Sequence, residues 1–491
     1  MKKSILVAAS LLLTSSVAFA ADFKQADNQW FKDAQASIKA RMAVQPITNK
    51  AKNIILLIAD GNGVGSNYAT RLYAGQQAGK LGSEHVLPQD ALPHVALVKT
   101  YNTNAQTPDS AGTGTAFHTG VKTKAGVLGV DETLARGDCS AVEGATVTNA
   151  VETFSAMGKQ IGVISTARLT HATPASAYAH SADRNFEADS YLPEGCGQKD
   201  IAVQLIDVMK SGAVDIAMGG GRRNFITKET KGDEGKSGKR TDGKNLIEEA
   251  KAAGIQYIWD DKTFASADWS KPVLGLFESS HMKYEADRTG EPSLAEMTEA
   301  SIKALGGSEN GYFLTIEAGR VDHANHAGNA ARTVTDGVAF AEAIAKAVEM
   351  TDPQETLIVV TADHEHAIAF NGYCGRGSDV LGLCYDIDPA GTKHSDKPLM
   401  GKDGKPYTVV GFLNGPGSIL GEDGSGSRPE VTQEQATDID YVQQSLIPLS
   451  SESHSGEDVA VYGRGPWSHL FDSTIEQNEI FHVMLQAATA E

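Results

Sequence analysis

Apolar runs along the 491-residue chain stop abruptly at polar, mostly ligand-type side chains. "NIILLIADGNG" (53–63) places Asp60 just past its apolar stretch, and "QIGVIST" (160–166) leads into "ARLTHATP". "GYFLTIEAGRVDHANH" (311–326) puts Glu317 at the end of its run, and "ETLIVVTADHEH" (355–366) ends on Asp363 and His364. "SHSGEDVAVYG" (453–463) reverses the order, with His454 ahead of the run. Short apolar runs of this kind predict strands buried on both faces. Helical patterns such as "NAVETFSAM", "IAVQLIDVMK" and "AFAEAIAKAVEM" fall between them. Strands alternating with helices predict a three-layer α/β/α sandwich around a large, mostly parallel central sheet. Ligands of such sheets bind beyond the carboxyl ends of the strands. Four of the five runs deliver Asp, Glu, His or Thr to that edge.

Four other stretches break this rhythm. Residues 373–450 are rich in Gly, Pro, Ser and Asp and predict an irregular insertion over the core. "ITKETKGDEGKSGKRTDGKN" (226–245) predicts a charged surface loop; its "GKS" lacks the first glycine of a P-loop, where Thr230 stands. Residues 23–41 predict an amphipathic helix carrying Trp30, Phe31 and Ile38, suited to docking on a partner subunit. "TPDSAGTGTAFHTG" (107–120) predicts a helix of very small residues, with Thr107 as N-cap, Pro108 at the first position and Gly120 as C-cap. Ser110 would then sit in the first turn, where free N–H groups and the helix dipole attract anions. A serine there is a candidate nucleophile if another group activates it.

Composition is that of a globular protein, and the first 20 residues stand apart from the fold. "MKKSILVAASLLLTSSVAFA" has the basic start, apolar middle and Ala18-Phe19-Ala20 ending of a cleaved secretory signal. Its apolar run is too short and wrongly flanked for a membrane span. The expectation is an exported chain, periplasmic or secreted, with no membrane partner. Loss of Lys2 and Lys3 with the leader moves the net charge from −19 to −21. That balance argues against nucleic acid as a partner. The cysteine count is even: Cys139, Cys196, Cys374 and Cys384 predict two disulfides in an exported protein. Three pairings are possible, and proximity in sequence favours 139–196 and 374–384.

Asp322 and His326, four apart after a strand, would face one way on a helix and make half of a zinc site. Asp363–His364 makes a second pair, and Asp60 and His454 could complete two sites. Glu317 and Thr173 are oxygen donors suited to magnesium. Alone, an i,i+4 Asp–His pair is more often a surface ion pair; convergence of separate strands on one edge changes those odds. His366 reads more readily as a supporting or packing residue than as a ligand. Spacing does not prefer Arg184 over Arg168. No G-x-S-x-G elbow surrounds Ser110, which counts against an α/β-hydrolase triad.

"LLIADGNG", "TPDSAGTGTAFHTGVKT", "HATP", "AHSADRN", "EAGRVDHANH", "TADHEH" and "HSGEDVAVYGRGP" together resemble the alkaline phosphatase family. They recur in consistent order from about residue 50 to the C-terminus. The resemblance implies a catalytic domain over 21–491 after the 1–20 signal peptide, with 373–450 as a crown-like insertion subdomain. It implies Ser110 as the transiently phosphorylated nucleophile and Arg184 as the phosphate clamp. It further implies two zinc ions, one on Asp322, His326 and His454, the other on Asp60, Asp363, His364 and Ser110. One magnesium would be held by Asp60, Thr173 and Glu317. His171 and His323 stand where some bacterial members carry Asp and Lys, so the chain is similar to the animal and marine bacterial branch. "LFESSHMKYEADRTG" resembles a calcium-binding stretch of animal members, but Thr289 replaces the expected acid, and calcium is not implied.

The implied activity is hydrolysis of a broad range of phosphate monoesters to alcohol and inorganic phosphate, in a homodimer. The nearest rival is a phosphodiesterase or sulfatase; a sulfatase needs a modifiable Cys or Ser followed by Pro and Arg, which Ser110-Ala111-Gly112 lacks. An exported metal- or solute-binding protein would explain the Asp/His pairs but not Ser110 or Arg184.

Overall fold

The computed structural model describes residues 23–421 and 423–490. The signal segment, residues 1–20, lies outside the described residues. Ten strands form the central sheet: β1 (Asn53–Ala59), β2 (His94–Lys99), β3 (Gln160–Arg168), β4 (Ile216–Gly220), β5 (Gln256–Ile258), β6 (Val273–Leu276), β7 (Tyr312–Ala318), β8 (Thr356–Ala362), β9 (Val459–Arg464) and β10 (Thr474–Glu476). Their spatial order is β10-β2-β9-β8-β1-β7-β3-β4-β6-β5. Only β9 runs against the rest, pairing antiparallel with both β2 and β8.

The central strand β1 shows why its sequence lacks polar alternation. Ile54, Leu56 and Ile58 face a cluster containing Phe154, Leu205, Phe481 and Met484 from helices Ala150–Ala156, Ile201–Lys210 and Glu479–Thr489. Ile55, Leu57 and Ala59 face a second cluster with Met297, Ile302, Phe340 and Ile344 from helices Leu294–Leu305 and Ala330–Glu349. Successive side chains point to opposite sides of a sheet, and here both sides are covered. The expected α/β/α layering is what the structure shows.

Residues 373–450 fold as short ladders, such as Tyr385–Ile387 with His394–Pro398, and one turn of helix, Gln433–Ala436. Val380, Leu381, Val409 and Val410 pack there against Ala69, Leu72, Ala330 and Val334. Residues 226–245 form the largely exposed loop their charge predicts, with Arg240 as the exception among their charged side chains. Arg240 is fully buried, with Nη1 and Nη2 each 3.0 Å from an oxygen of Asp200 and Nη2 2.6 Å from Asp242. Its main partner lies 40 residues upstream, outside any local pattern. Helix Gln29–Met42 belongs to a compact unit separate from residues 46–491. It is capped by Asn28, buries none of its residues, and leaves Trp30 75% and Met42 77% exposed.

Two disulfides are present, Cys139–Cys196 and Cys374–Cys384, with sequence separations of 57 and 10. On chain entropy the longer closed loop stabilises by about 4 kcal/mol and the shorter by about 3 kcal/mol. The Cys139→Ser/Cys196→Ser double variant is therefore expected to lose more in Tm than Cys374→Ser/Cys384→Ser. Calorimetric melting of the two variants checks the order.

Candidate active site

Strand ends at the carboxyl edge deliver the chemistry. Asp60 follows β1, Asp363 and His364 follow β8, and Glu317 is the penultimate residue of β7. Asp322 and His326 lie on helix Arg320–His326, immediately beyond β7. His454 starts a two-residue strand that pairs antiparallel with Glu365–His366, opposing His454 to His366.

Ser110 opens the helix Ser110–Thr119, which begins two residues later than the Thr107 cap predicts. Asp109 is the N-cap. Its Oδ1 accepts from Gly112 N at 3.1 Å, Gly126 N at 3.0 Å and Asn102 Nδ2 at 3.0 Å. A carboxylate able to satisfy several donors at once outcompetes the threonine hydroxyl for that position. The small residues permit close approach, as expected: a Cβ on Gly112 would lie 2.6 Å from the Asn102 side chain, and one on Gly114 2.5 Å from Ser176 Oγ.

Ser110 Oγ is buried, 3.4 Å from Asp60 Oδ1 and 3.3 Å from His364 Nε2. His364 Nε2 is also 3.1 Å from Asp363 Oδ2 and 3.4 Å from Asp60 Oδ1. Beside this group, His326 Nε2 and His454 Nε2 lie 3.1 Å apart and each 3.3 Å from Asp322 Oδ1. A third group joins Asp60, Glu317 and His171, with Thr173 Oγ1 3.5 Å from Asp60 Oδ2. In each of the three groups the donor atoms lie within 4.8 Å of one another.

Backbone carbonyls fix three of these imidazoles. His326 Nδ1 donates to Glu452 O at 2.5 Å, His454 Nδ1 to Pro108 O at 2.8 Å and His364 Nδ1 to Glu365 O at 3.3 Å. A carbonyl oxygen only accepts, so each Nδ1 carries the proton and each Nε2 presents its lone pair to the cluster.

The buried charges are unbalanced. Burial, followed by Asp363, Asp322 and Glu317, holds the Asp60 carboxyl well above the usual range. Glu317 is pushed up to about 7, first by burial and then by Asp363, and its Oε1 has no hydrogen-bond partner among the described residues. Asp363 is raised by burial and Asp322. Asp322 goes the other way: burial would raise it, but His326, His366 and His454 hold it well below. Crowded, buried, partly unpartnered carboxylates beside aimed imidazole lone pairs are what bound cations would neutralise. The donor sets fit: nitrogen and carboxylate for zinc, oxygen-rich for magnesium.

His366 stands with Asp322, His326 and His454, 2.9 Å from Asp322 Oδ1, with Nδ1 2.5 Å from Glu452 Oε2. These two carboxylates outweigh burial and lift its pKa to about 10. Glu452 carried no sequence signal. Nor did His281, whose ring lies 3.9 Å from that of His323 and 5.3 Å from that of His171. The two arginines that spacing left equal differ in their partners. Arg168 is bound to Glu187 through two 2.7 Å contacts. Arg184 is held beside the serine, with Nη1 3.1 Å from Asp109 Oδ2 and Nη2 3.1 Å from His171 Nε2.

Asp and His side chains gathered round a buried serine at the carboxyl edge of a parallel sheet define an α/β enzyme with metal-binding sites. Known proteins narrow that class. The family model described as alkaline phosphatase matches residues 51–490. The tissue-nonspecific alkaline phosphatase of Gallus gallus is 40% identical over 479 residues, covering 94% of this chain and 89% of that protein. The alkaline phosphatase of Gadus morhua is 40% identical over 478 residues, covering 94% and 96%. The chain belongs to the alkaline phosphatase family, which hydrolyses phosphate monoesters. Solved structures share its fold. The alkaline phosphatase of the Antarctic bacterium TAB5 matches with a TM-score of 0.62 at 22% identity, over 90% of this chain and 100% of that one. The Thermus thermophilus enzyme matches at 0.64 and 22%, over 91% and 93%.

Proposed function

We propose that the chain hydrolyses a broad range of phosphate monoesters to an alcohol and inorganic phosphate through a phosphoserine on Ser110. Asp322, His326 and His454 would hold one zinc, and Asp60, Asp363 and His364, with Ser110, a second. Asp60, Thr173 and Glu317 would hold one magnesium; two mutants of the Antarctic enzyme are described with magnesium in their M3 site. The observation that carries this reading is the carbonyl-fixed orientation of the three imidazoles toward Asp322 and Ser110. Bound at these clusters, zinc supplies Lewis acidity, lowering the pKa of a neighbouring hydroxyl and stabilising charge that develops on oxygen.

The residues of the chain do the rest. Ser110 Oγ attacks phosphorus in line with the departing ester oxygen, so the Oγ–P bond forms as the P–O bond to the alcohol breaks. Water then attacks the phosphoserine, freeing inorganic phosphate and Ser110 with overall retention at phosphorus. Arg184 grips two nonbridging oxygens with its planar fork, and Asp109 holds that fork in place. His171 and His323 stand behind these groups. Because the contacts gather on the phosphoryl group, the alcohol is weakly selected. Export through the leader and assembly as a homodimer complete the proposal; the exposed Leu413, Leu446 and Ile447 of the insertion and Trp30 and Ile38 of the N-terminal helix are apolar surface suited to a second copy.

The test is hydrolysis of p-nitrophenyl phosphate against its bis diester at alkaline pH. Strong preference for the monoester is expected, and preference for the diester would overturn the reading. Arg184→Ala is expected to lower kcat/KM by about 10²-fold or more and to weaken inhibition by inorganic phosphate, since two charge-assisted hydrogen bonds are lost. Arg184→Lys keeps the charge but not the fork, and should recover only part of both.

A further inference from the structure

At the opposite edge of the sheet, where β1, β7 and β3 begin side by side, lies a cavity of about 520 Å³. Lys52 precedes β1, Lys159 precedes β3, and Glu309 and Asn310 precede β7; Lys50, Ala488 and Thr489 complete much of the wall. Among the described residues, three ammonium groups against a single carboxylate make this a locally positive concavity on a chain of net charge −19. None of the three lysines has a carboxylate partner within 4 Å among the described residues.

The floor of the cavity is built. Gly311, at φ +71°, comes so close to Lys52 that an added Cβ would lie 1.9 Å from the Lys52 carbonyl oxygen. That approach sets the carbonyls of Lys52 and Asn310 side by side, and Lys159 Nζ donates to both, at 2.7 and 3.0 Å. Lys159 is 7% exposed. Two of its three ammonium protons are spent on neutral carbonyls, and the facing charges are the cations of Lys50 and Lys52. Burial first, then those two lysines, lower its pKa to about 8. A lysine held this way gains most from an anion placed before all three amines.

We propose that this cavity binds a small divalent oxyanion, represented by inorganic phosphate, between the ammonium groups of Lys50, Lys52 and Lys159. The site lies at the amino ends of β1 and β7, whose carboxyl ends lead to Asp60, Glu317, Asp322 and His326, so it is independent of that chemistry. The cavity is larger than phosphate itself, which leaves room for a phosphate-bearing small molecule to enter by its anionic end.

Calorimetric titration of the metal-loaded protein with inorganic phosphate at pH 7 tests this. Two sites per chain are expected in the native protein and one in Lys50→Met/Lys52→Met, with hydrolysis of p-nitrophenyl phosphate unchanged in that variant. Acetylation of Lys159 by limiting acetic anhydride, read by peptide mass, locates the second site; phosphate at ten times its Kd should slow it by about tenfold relative to chloride of equal ionic strength. One site in the native protein, or two in the double variant, would overturn the proposal. Lys50 is exposed, so Lys50→Met alone, expected to weaken the second site without touching the first, guards against a folding defect in the pair.

Discussion

Ser110→Ala is expected to lower kcat on p-nitrophenyl phosphate by about 10³-fold or more while the fold and all three Asp/His clusters persist. The substitution removes one oxygen, the hydroxyl that lies 3.3 Å from His364 Nε2 and 3.4 Å from Asp60 Oδ1. It disturbs little else. The helix start is fixed by Asp109, whose carboxylate keeps its four partners, and alanine suits the first turn of a helix. Brief acid quenching with labelled phosphate should trap a phosphorylated serine in the native protein and none in the variant. Zinc content should be equal in both. Retention of full activity in the variant would remove Ser110 from the mechanism and restore direct attack by water as the alternative. Loss of zinc together with activity would instead make the serine a structural ligand.

The parts of this fold legible in the sequence are those carried by local periodicity. Ile54 to Ala59 announce a strand covered on both faces because every position is apolar, and the structure buries both sets. Asp60, Glu317, Asp363 and His364 were readable because a strand end is a local event, and the carboxyl edge gathers such ends by topology alone. What escaped was decided by partners far along the chain. Glu452 is 86 residues from His366, yet it and Asp322 hold that imidazole between them. Arg168 and Arg184 look alike until Glu187 occupies one and Asp109 the other. Thr107 and Asp109 are both good caps; only the donors of Asn102 and Gly126, brought in by tertiary contact, choose between them. Arg240 reads as solvent-facing because its charge is visible in sequence and Asp200 is not adjacent.

Exhaustive chelation is expected to abolish hydrolysis and to make stability depend on pH in a particular direction. Without cations, Asp60, Asp363 and Glu317 have folded-state pKa values raised above their unfolded ones, with burial the first cause in each. A group of that kind contributes stability that is fully present below its unfolded pKa and is lost as pH rises through the folded value. For Glu317 the window runs from about 4.5 to about 7 and is worth on the order of 3 kcal/mol. Asp322 is shifted the other way, so the stability it contributes is already complete above its usual carboxylate range and stays constant over this interval. His366, raised to about 10, adds a loss that begins above its usual value near 6.5 and continues to that pH. Burial lowers the pKa of His118, His171, His281, His323, His326 and His364, so their contribution rises with pH and is complete near 6.5. Above that pH the shifts of the site carboxylates and His366 act in one direction. The Tm of the chelated protein should fall from pH 6.5 to pH 8, while the protein loaded with zinc and magnesium holds its Tm, because cations take over the work of protons at the buried carboxylates. Magnesium added alone should recover part of the Tm through Glu317 and Asp60 but no hydrolysis; zinc should restore hydrolysis, and magnesium should raise it further. A chelated protein whose Tm is flat across this range would mean that the carboxylates are neutralised by something other than bound metal. Full activity after chelation would remove metal ions from the reaction altogether.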